Sequence, residues 1–213
     1  MSKKKKLSVL VVSFLIVISV CMGSVLAFLI QNTEKRANIF TFGNANIDLT
    51  EKEWDKLTKE ERIVYPGKEV TKDPKVKNTG ETNIYAYIEI KIPCASVRTV
   101  DTDEDGKEII KDTTYNELFS YDVNSGWELI KEQEDDNNNK VYVYAYTKKV
   151  LTPNEETNNL FDKVKFLNVV EGQLEKETEL NISVNAYAIQ SDYLNETGDT
   201  LKEKMTDAYS KIK

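Results

Sequence analysis

Residues 84–92 read Ile84-Tyr85-Ala86-Tyr87-Ile88-Glu89-Ile90-Lys91-Ile92. Side chains alternate across a strand, so Ile84, Ala86, Ile88, Ile90 and Ile92 share one face while Tyr85, Tyr87, Glu89 and Lys91 share the other. An apolar face opposite a polar one predicts a half-buried antiparallel strand. The same alternation recurs in Val141-Tyr142-Val143-Tyr144-Ala145-Tyr146. It recurs again over residues 180–189, where Leu180, Ile182, Val184, Ala186 and Ala188 oppose Asn181, Ser183, Asn185 and Tyr187. Weaker strands are expected at residues 39–49, 70–77, 119–123, 127–131 and 164–169. Between these runs lie turn formers: Tyr65-Pro66-Gly67, Asn78-Thr79-Gly80, Asp105-Gly106, Asn124-Ser125-Gly126, the polar residues 132–139, and Leu151-Thr152-Pro153-Asn154. About eight short strands joined by frequent turns predict an all-β fold, a jelly-roll-like antiparallel β-sandwich with minor helices. Residues 51–62 are expected as a surface helix or loop with Trp54 and Leu57 inward. Leu201, Met205, Ala208, Tyr209 and Ile212 form a helical stripe opened by Thr200 as a cap, read as docking on the domain's own core.

The chain has 213 residues, 29 Lys and Arg against 36 Asp and Glu, a net charge of −7, and no histidine. Without imidazole, the Ser-His-Asp and Cys-His nucleophile arrangements and the H-E-x-x-H zinc site are excluded. A zinc peptidase would be left with carboxylates and cysteine, a poor ligand set, so no enzyme activity is expected.

Lys3, Lys4, Lys5 and Lys6 precede an uncharged run of 24 residues, 7–30. A basic start, an apolar middle and Val25-Leu26-Ala27 at its end have the layout of a secretory signal, with cleavage between Ala27 and Phe28. Retention of the run as a membrane anchor is the alternative, since it is long enough to span a bilayer. Cys21 reads as an apolar residue of the signal helix, because Val20 before it is larger than lipidation normally wants. The expected organisation is a signal peptide at 1–27, a linker at 28–38 and a β-sandwich domain with a C-terminal helix at 39–213. The expected location is outside the cell, in the extracellular matrix or at the surface, with no membrane contact after cleavage. The cleaved chain would carry a charge of −11, which repels phosphate backbones, so no nucleic-acid partner is expected. It would keep only Cys94, read as a half-buried hydrophobe at a strand end.

The linker opens with Phe28-Leu29-Ile30-Gln31-Asn32. Extended, this segment would point Phe28 and Ile30 one way and Leu29 the other. It is a candidate donor strand for the open sheet edge of a neighbour. Head-to-tail donation of that kind does not close, so it gives a filament. The alternative is that Phe28, Leu29 and Ile30 are simply the end of the signal helix.

Asp101-Thr102-Asp103-Glu104-Asp105-Gly106, with Asp112 at the twelfth position, resembles a calcium-binding loop. Glu108 replaces the usual apolar residue, and the last ligand is Asp where a longer Glu is usual. An acidic Asp-Gly hairpin is therefore the competing reading, and no other cofactor is indicated. The tyrosines at 85 and 87 and at 142, 144 and 146 form ladders, read as cross-strand packing, with carbohydrate or subunit binding as the alternative.

The order of the pieces resembles the TasA/camelysin family of exported Gram-positive proteins. The resemblance is carried by residues 40–49 (Phe40-Thr41-Phe42-Gly43-Asn44-Ala45-Asn46-Ile47-Asp48-Leu49), Pro66-Gly67-Lys68-Glu69-Val70-Thr71-Lys72 and Val76-Lys77-Asn78-Thr79-Gly80-Glu81-Thr82. It continues through Trp127, the turn from Leu151 to Thr157 followed by Leu160-Phe161, and Val184-Asn185-Ala186-Tyr187-Ala188-Ile189-Gln190. The resemblance implies cleavage by a signal peptidase of the SipW type, a jelly-roll domain, and a structural subunit that joins copies of itself by donor-strand exchange into biofilm matrix fibres. Minor fibre subunits are implied as further partners. An adhesin, a membrane-anchored fibre accessory and, more remotely, a camelysin-like protease are the alternatives.

Overall fold

The computed structural model describes residues 45–137, 139–174, 180–192 and 194–211. In chain order they form β1 (Ile47–Thr50), α1 (Lys52–Lys56), β2 (Glu69–Thr71), β3 (Lys75–Asn78), β4 (Ile84–Ile92), β5 (Cys94–Val97), β6 (Val100–Thr102) and β7 (Glu108–Ile110). There follow β8 (Thr114–Glu117), β9 (Phe119–Ser120), β10 (Trp127–Glu134), β11 (Lys140–Tyr146), β12 (Lys163–Phe166), β13 (Ser183–Gln190) and α2 (Leu201–Ser210). The fold is an all-β, sandwich-like arrangement of antiparallel sheets with two short helices among the described residues.

One layer is the four-stranded sheet β10-β11-β4-β13. The other is assembled from β2-β12-β9 and β1-β3. These two pieces are continuous along the chain. β3 follows β2 closely, and the stretch before β12 runs beside β3, Thr157 N–H donating to Val76 O and Leu160 N–H to Pro74 O at 2.8 Å each. Ile84, Ala86, Ile88, Ile90 and Ile92 pack between the layers with Val76, Trp127, Leu151, Phe161, Val164 and Phe166.

The strand expected to be half-buried is buried on both faces. Tyr87 is fully buried and Glu89 is 5% exposed, because α2 lies across the outer face. Met205, Ala208 and Tyr209 of α2 pack on Tyr85, Tyr87, Val143, Ala145, Tyr187 and Ile189. A ten-residue helix is too short to be stable alone in water, so this docking holds it. Its start is a capping box: Thr200 accepts from Glu203 N–H at 3.2 Å, and Glu203 accepts from Thr200 N–H at 3.0 Å. Ile212, expected in the same stripe, lies outside the described residues.

The stretch expected as a helix or loop contains α1, with Trp54 and Leu57 packed against the core. Its cap comes from a distant residue. The buried Asp73 accepts from Glu53 N–H at 3.0 Å and Trp54 N–H at 3.1 Å. The Trp54 ring has Lys72 Nζ 4.6 Å and the Arg62 guanidinium carbon 4.7 Å from its centroid, and Lys72 is paired with Glu51 at 2.8 Å.

Asn78, fully buried at the end of β3, ties two turns together. Its amide donates to Thr82 O at 2.8 Å and Leu151 O at 3.1 Å, and its carbonyl accepts from Gly80 N–H at 3.0 Å. Asn154 completes the second turn in the left-handed region at φ 68°, its N–H donating to Asn78 O. Asn78→Ala takes away the side-chain partners of Gly80 N–H and Thr82 O, while Leu151 O keeps its bond from Ile84 N–H at 3.0 Å, and is expected to cost about 2 kcal/mol, read as a lower urea midpoint at unchanged slope.

Candidate functional site

A sheet that ends in solvent offers its last strand's unpaired N–H and C=O groups to another chain. Among the described residues the four-stranded sheet has two terminal strands, β10 and β13, and β1 runs close to β13 without pairing with it. The chemistry of the two terminal strands differs.

β10 is guarded. Its sequence Trp-Glu-Leu-Ile-Lys-Glu-Gln-Glu places Glu128, Lys131, Glu132 and Glu134 along eight residues, and its register with β11 shifts between Leu129 and Lys131. Glu128 is tied to Lys202 at 3.0 Å and accepts from Thr147 Oγ1 at 2.7 Å, which holds its carboxyl below the usual carboxylate range. Charges and a bulge are the devices that keep an edge from pairing.

β13 lacks them. Ser-Val-Asn-Ala-Tyr-Ala-Ile-Gln carries no charge, and Ala186, Tyr187, Ala188 and Ile189 are buried. The strand pairs with β4 over its full length, from Ser183 opposite Lys91 to Gln190 opposite Ile84. Among the described residues no strand pairs with its other side. Val184, Ala186 and Ala188 face the sandwich core, and Tyr187 and Ile189 face the layer under α2. The buried Glu89 secures the outer side: its Oε1 accepts from Tyr187 Oη at 3.1 Å and from Asn185 Nδ2 at 3.3 Å. Such an edge can accept an extended strand with apolar side chains on both faces.

Ala27, Phe28, Leu29 and Ile30 lie outside the described residues. Asp101, Asp103, Asp105 and Asp112 lie on and beside the β6–β7 hairpin. Asp103 accepts from Asp105 N–H at 3.1 Å and Lys107 N–H at 2.7 Å, closing the turn, while Gly106 sits at φ 81°. Asp101 accepts from Thr102 N–H at 2.9 Å and pairs with Lys111, and both contacts hold its carboxyl low. Among the described residues no three Cys, Asp or Glu side chains gather as a metal ion requires. Cys94 is half-buried at the start of β5.

The tyrosine ladders are packed inward. Tyr144 and Tyr146 lie in the core between the layers, Tyr85 and Tyr87 under α2. Tyr121 Oη and Tyr144 Oη are 3.1 Å apart, Tyr142 donates to Glu117 at 2.6 Å, Tyr85 to Glu196 at 2.8 Å, and Tyr87 to Met205 O at 2.8 Å. The ladders are therefore not an exposed binding patch. The uncharged run of β13 is the sequence signal for a strand without a second partner among the described residues, and pattern alone could not place that run at the end of a sheet.

No family model matches the chain, and no curated protein or solved structure matches it.

Burial raises the phenols of Tyr85, Tyr87, Tyr121, Tyr142 and Tyr144 above the ordinary value, with the acceptor carboxylates of Glu196 and Glu117 adding to the effect at Tyr85 and Tyr142. A raised folded-state pKa leaves stability intact below about pH 10 and removes it above, where only the unfolded chain ionises. Phenolate absorbance at 295 nm is expected to rise incompletely just above that pH and to finish in one cooperative step with loss of the β-sheet circular dichroism signal. A smooth rise with the sheet retained would contradict the burial described.

Proposed function

We propose that this chain is a secreted, non-enzymatic structural subunit that assembles head-to-tail by strand donation into extracellular fibres of the biofilm-matrix type. One observation carries the proposal: the four-stranded sheet has one charged, bulged end and one uncharged end with no partner strand among the described residues. A chain with a single receptive edge grows in one direction. The donor in this reading is Phe28-Leu29-Ile30-Gln31-Asn32, whose alternating side chains suit an edge with apolar residues on both faces. The resemblance to the TasA/camelysin family adds the extracellular setting and the matrix role. Its partners are then other copies of the chain, minor fibre subunits, and the signal peptidase that frees the donor. The absence of histidine from the sequence speaks against the protease reading.

Negative-stain electron microscopy of residues 28–213 beside residues 33–213 tests the proposal. Fibres are expected from the first and monomers with the same circular dichroism spectrum from the second. Fibres from both would remove the donor role, and monomers from both would remove self-assembly.

A further inference from the structure

Past Val97, which is fully buried in the core, the chain leaves the sandwich as an arm and returns through β8. β5 pairs with β8 at its base, and β6 pairs with β7 beyond, in a sheet of their own. The base is anchored, since Val100 N–H donates to Asn168 O at 2.8 Å and Asn168 Nδ2 donates to Val100 O at 3.0 Å. Further out, every residue from 101 to 115 is exposed except the half-buried Asp103. A lone two-stranded ribbon is marginal in water and needs packing on one of its faces. This one carries Ile109 at 45% and Ile110 at 51% exposure, successive residues that point to opposite faces.

The arm is also strongly acidic. Asp101, Asp103, Glu104, Asp105, Glu108 and Asp112 stand against Lys107 and Lys111. Only Asp101 is in an ion pair, so Glu104, Asp105, Glu108 and Asp112 have none among the described residues. The complementary charge is elsewhere in the same domain. Val76 of β3 and Val164 and Phe166 of β12 point into the core, so Lys75, Lys77, Lys163 and Lys165 point out from the second layer. Lys75 is paired with Glu156 at 3.0 Å and Lys163 with Glu69 at 2.6 Å. Lys77 and Lys165 make no ion pair among the described residues.

We propose that the β6–β7 arm of one copy docks on the lysine-bearing outer face of β3 and β12 in a second copy. Among the described residues the arm makes no ion pair with that face in its own chain, which leaves both free to meet between copies. Arm and face are different surfaces, which makes the contact heterologous and repeatable along or between filaments. It uses neither the β13 edge nor the residues at 28–32, and so stands apart from strand donation.

Zero-length carbodiimide coupling of the full chain, mixed from isotopically light and heavy preparations, reads this contact by mass spectrometry. Light–heavy peptides joining Glu104, Asp105, Glu108 or Asp112 to Lys77 or Lys165 are expected, in the full chain and equally in the chain lacking residues 28–32. Glu104→Lys with Glu108→Lys is expected to lower the coupling of Asp105 and Asp112 to Lys77 and Lys165 about tenfold, as loss of about 1.4 kcal/mol of attraction implies. Adding Lys77→Glu and Lys165→Glu to that variant is expected to restore coupling with the roles reversed. Ile109→Ser with Ile110→Ser is expected to lower the yield at an unchanged unfolding midpoint. Arm carboxylates that couple only within one copy, couple to other lysines, or ignore the charge reversal would overturn the proposal, as would loss of the cross-links on removing residues 28–32.

Discussion

The rest of the structure depends on the burial of β4 from both sides. A strand with one wet face needs one packing layer; β4 needs two, because Ile84, Ile88 and Ile90 on one side and Tyr85, Tyr87 and Glu89 on the other are all removed from water. The first side accounts for the second sheet and the second side for α2. The two neighbours are set in register by the same requirement. A one-residue slip of β11 or β13 would bring Val143 or Tyr187 into the aliphatic core and turn Tyr144 or Ala186 outward. Glu89 makes the register of β13 stricter still, since a buried carboxylate must keep its hydrogen bonds and Asn185 and Tyr187 supply two of them.

This central strand leaves the sheet with two flanks of unlike character. On the β11 side the sheet continues to β10, where glutamates and a bulge end it. On the other side it stops, among the described residues, at β13, which carries no charge and buries Ala186, Tyr187, Ala188 and Ile189. Interior strands of a sandwich carry that composition because a neighbour lies on each side. In the proposed fibre the neighbour of β13 comes from another copy, and the polarity of the filament follows from the difference between the two flanks.

The parts of this fold that rest on local periodicity were legible in the sequence. The alternation at β4, β11 and β13 identified the three strands at the heart of the larger sheet, and Thr200 with the Leu201, Met205, Ala208 and Tyr209 spacing identified α2. Long-range consequences were not. Nothing near residues 84–92 says that α2, more than a hundred residues on, will cover Tyr85 and Tyr87, so the strand reads as half-buried. Asp73 falls inside the strand expected at residues 70–77, yet it lies between β2 and β3 and caps α1 across some twenty residues. The Asp-Gly turn at 105–106 was visible, whereas the extent of the arm around it depends on pairings from Cys94 to Glu117. The turn segments at 78–82 and 151–157, which look unrelated in sequence, meet at the Asn78 side chain.

The central claim is that β13 is the edge at which copies join, and amide hydrogen exchange reads it most directly. Exchange into deuterium is compared between assembled fibres and the unassembled chain lacking residues 28–32, resolved by peptides over 127–134 and 183–190. Assembly is expected to slow exchange across 183–190 by at least about a hundredfold while leaving 127–134 unchanged, because only β13 gains a backbone partner. Protection that appears in 127–134, or in neither strand, would contradict the account.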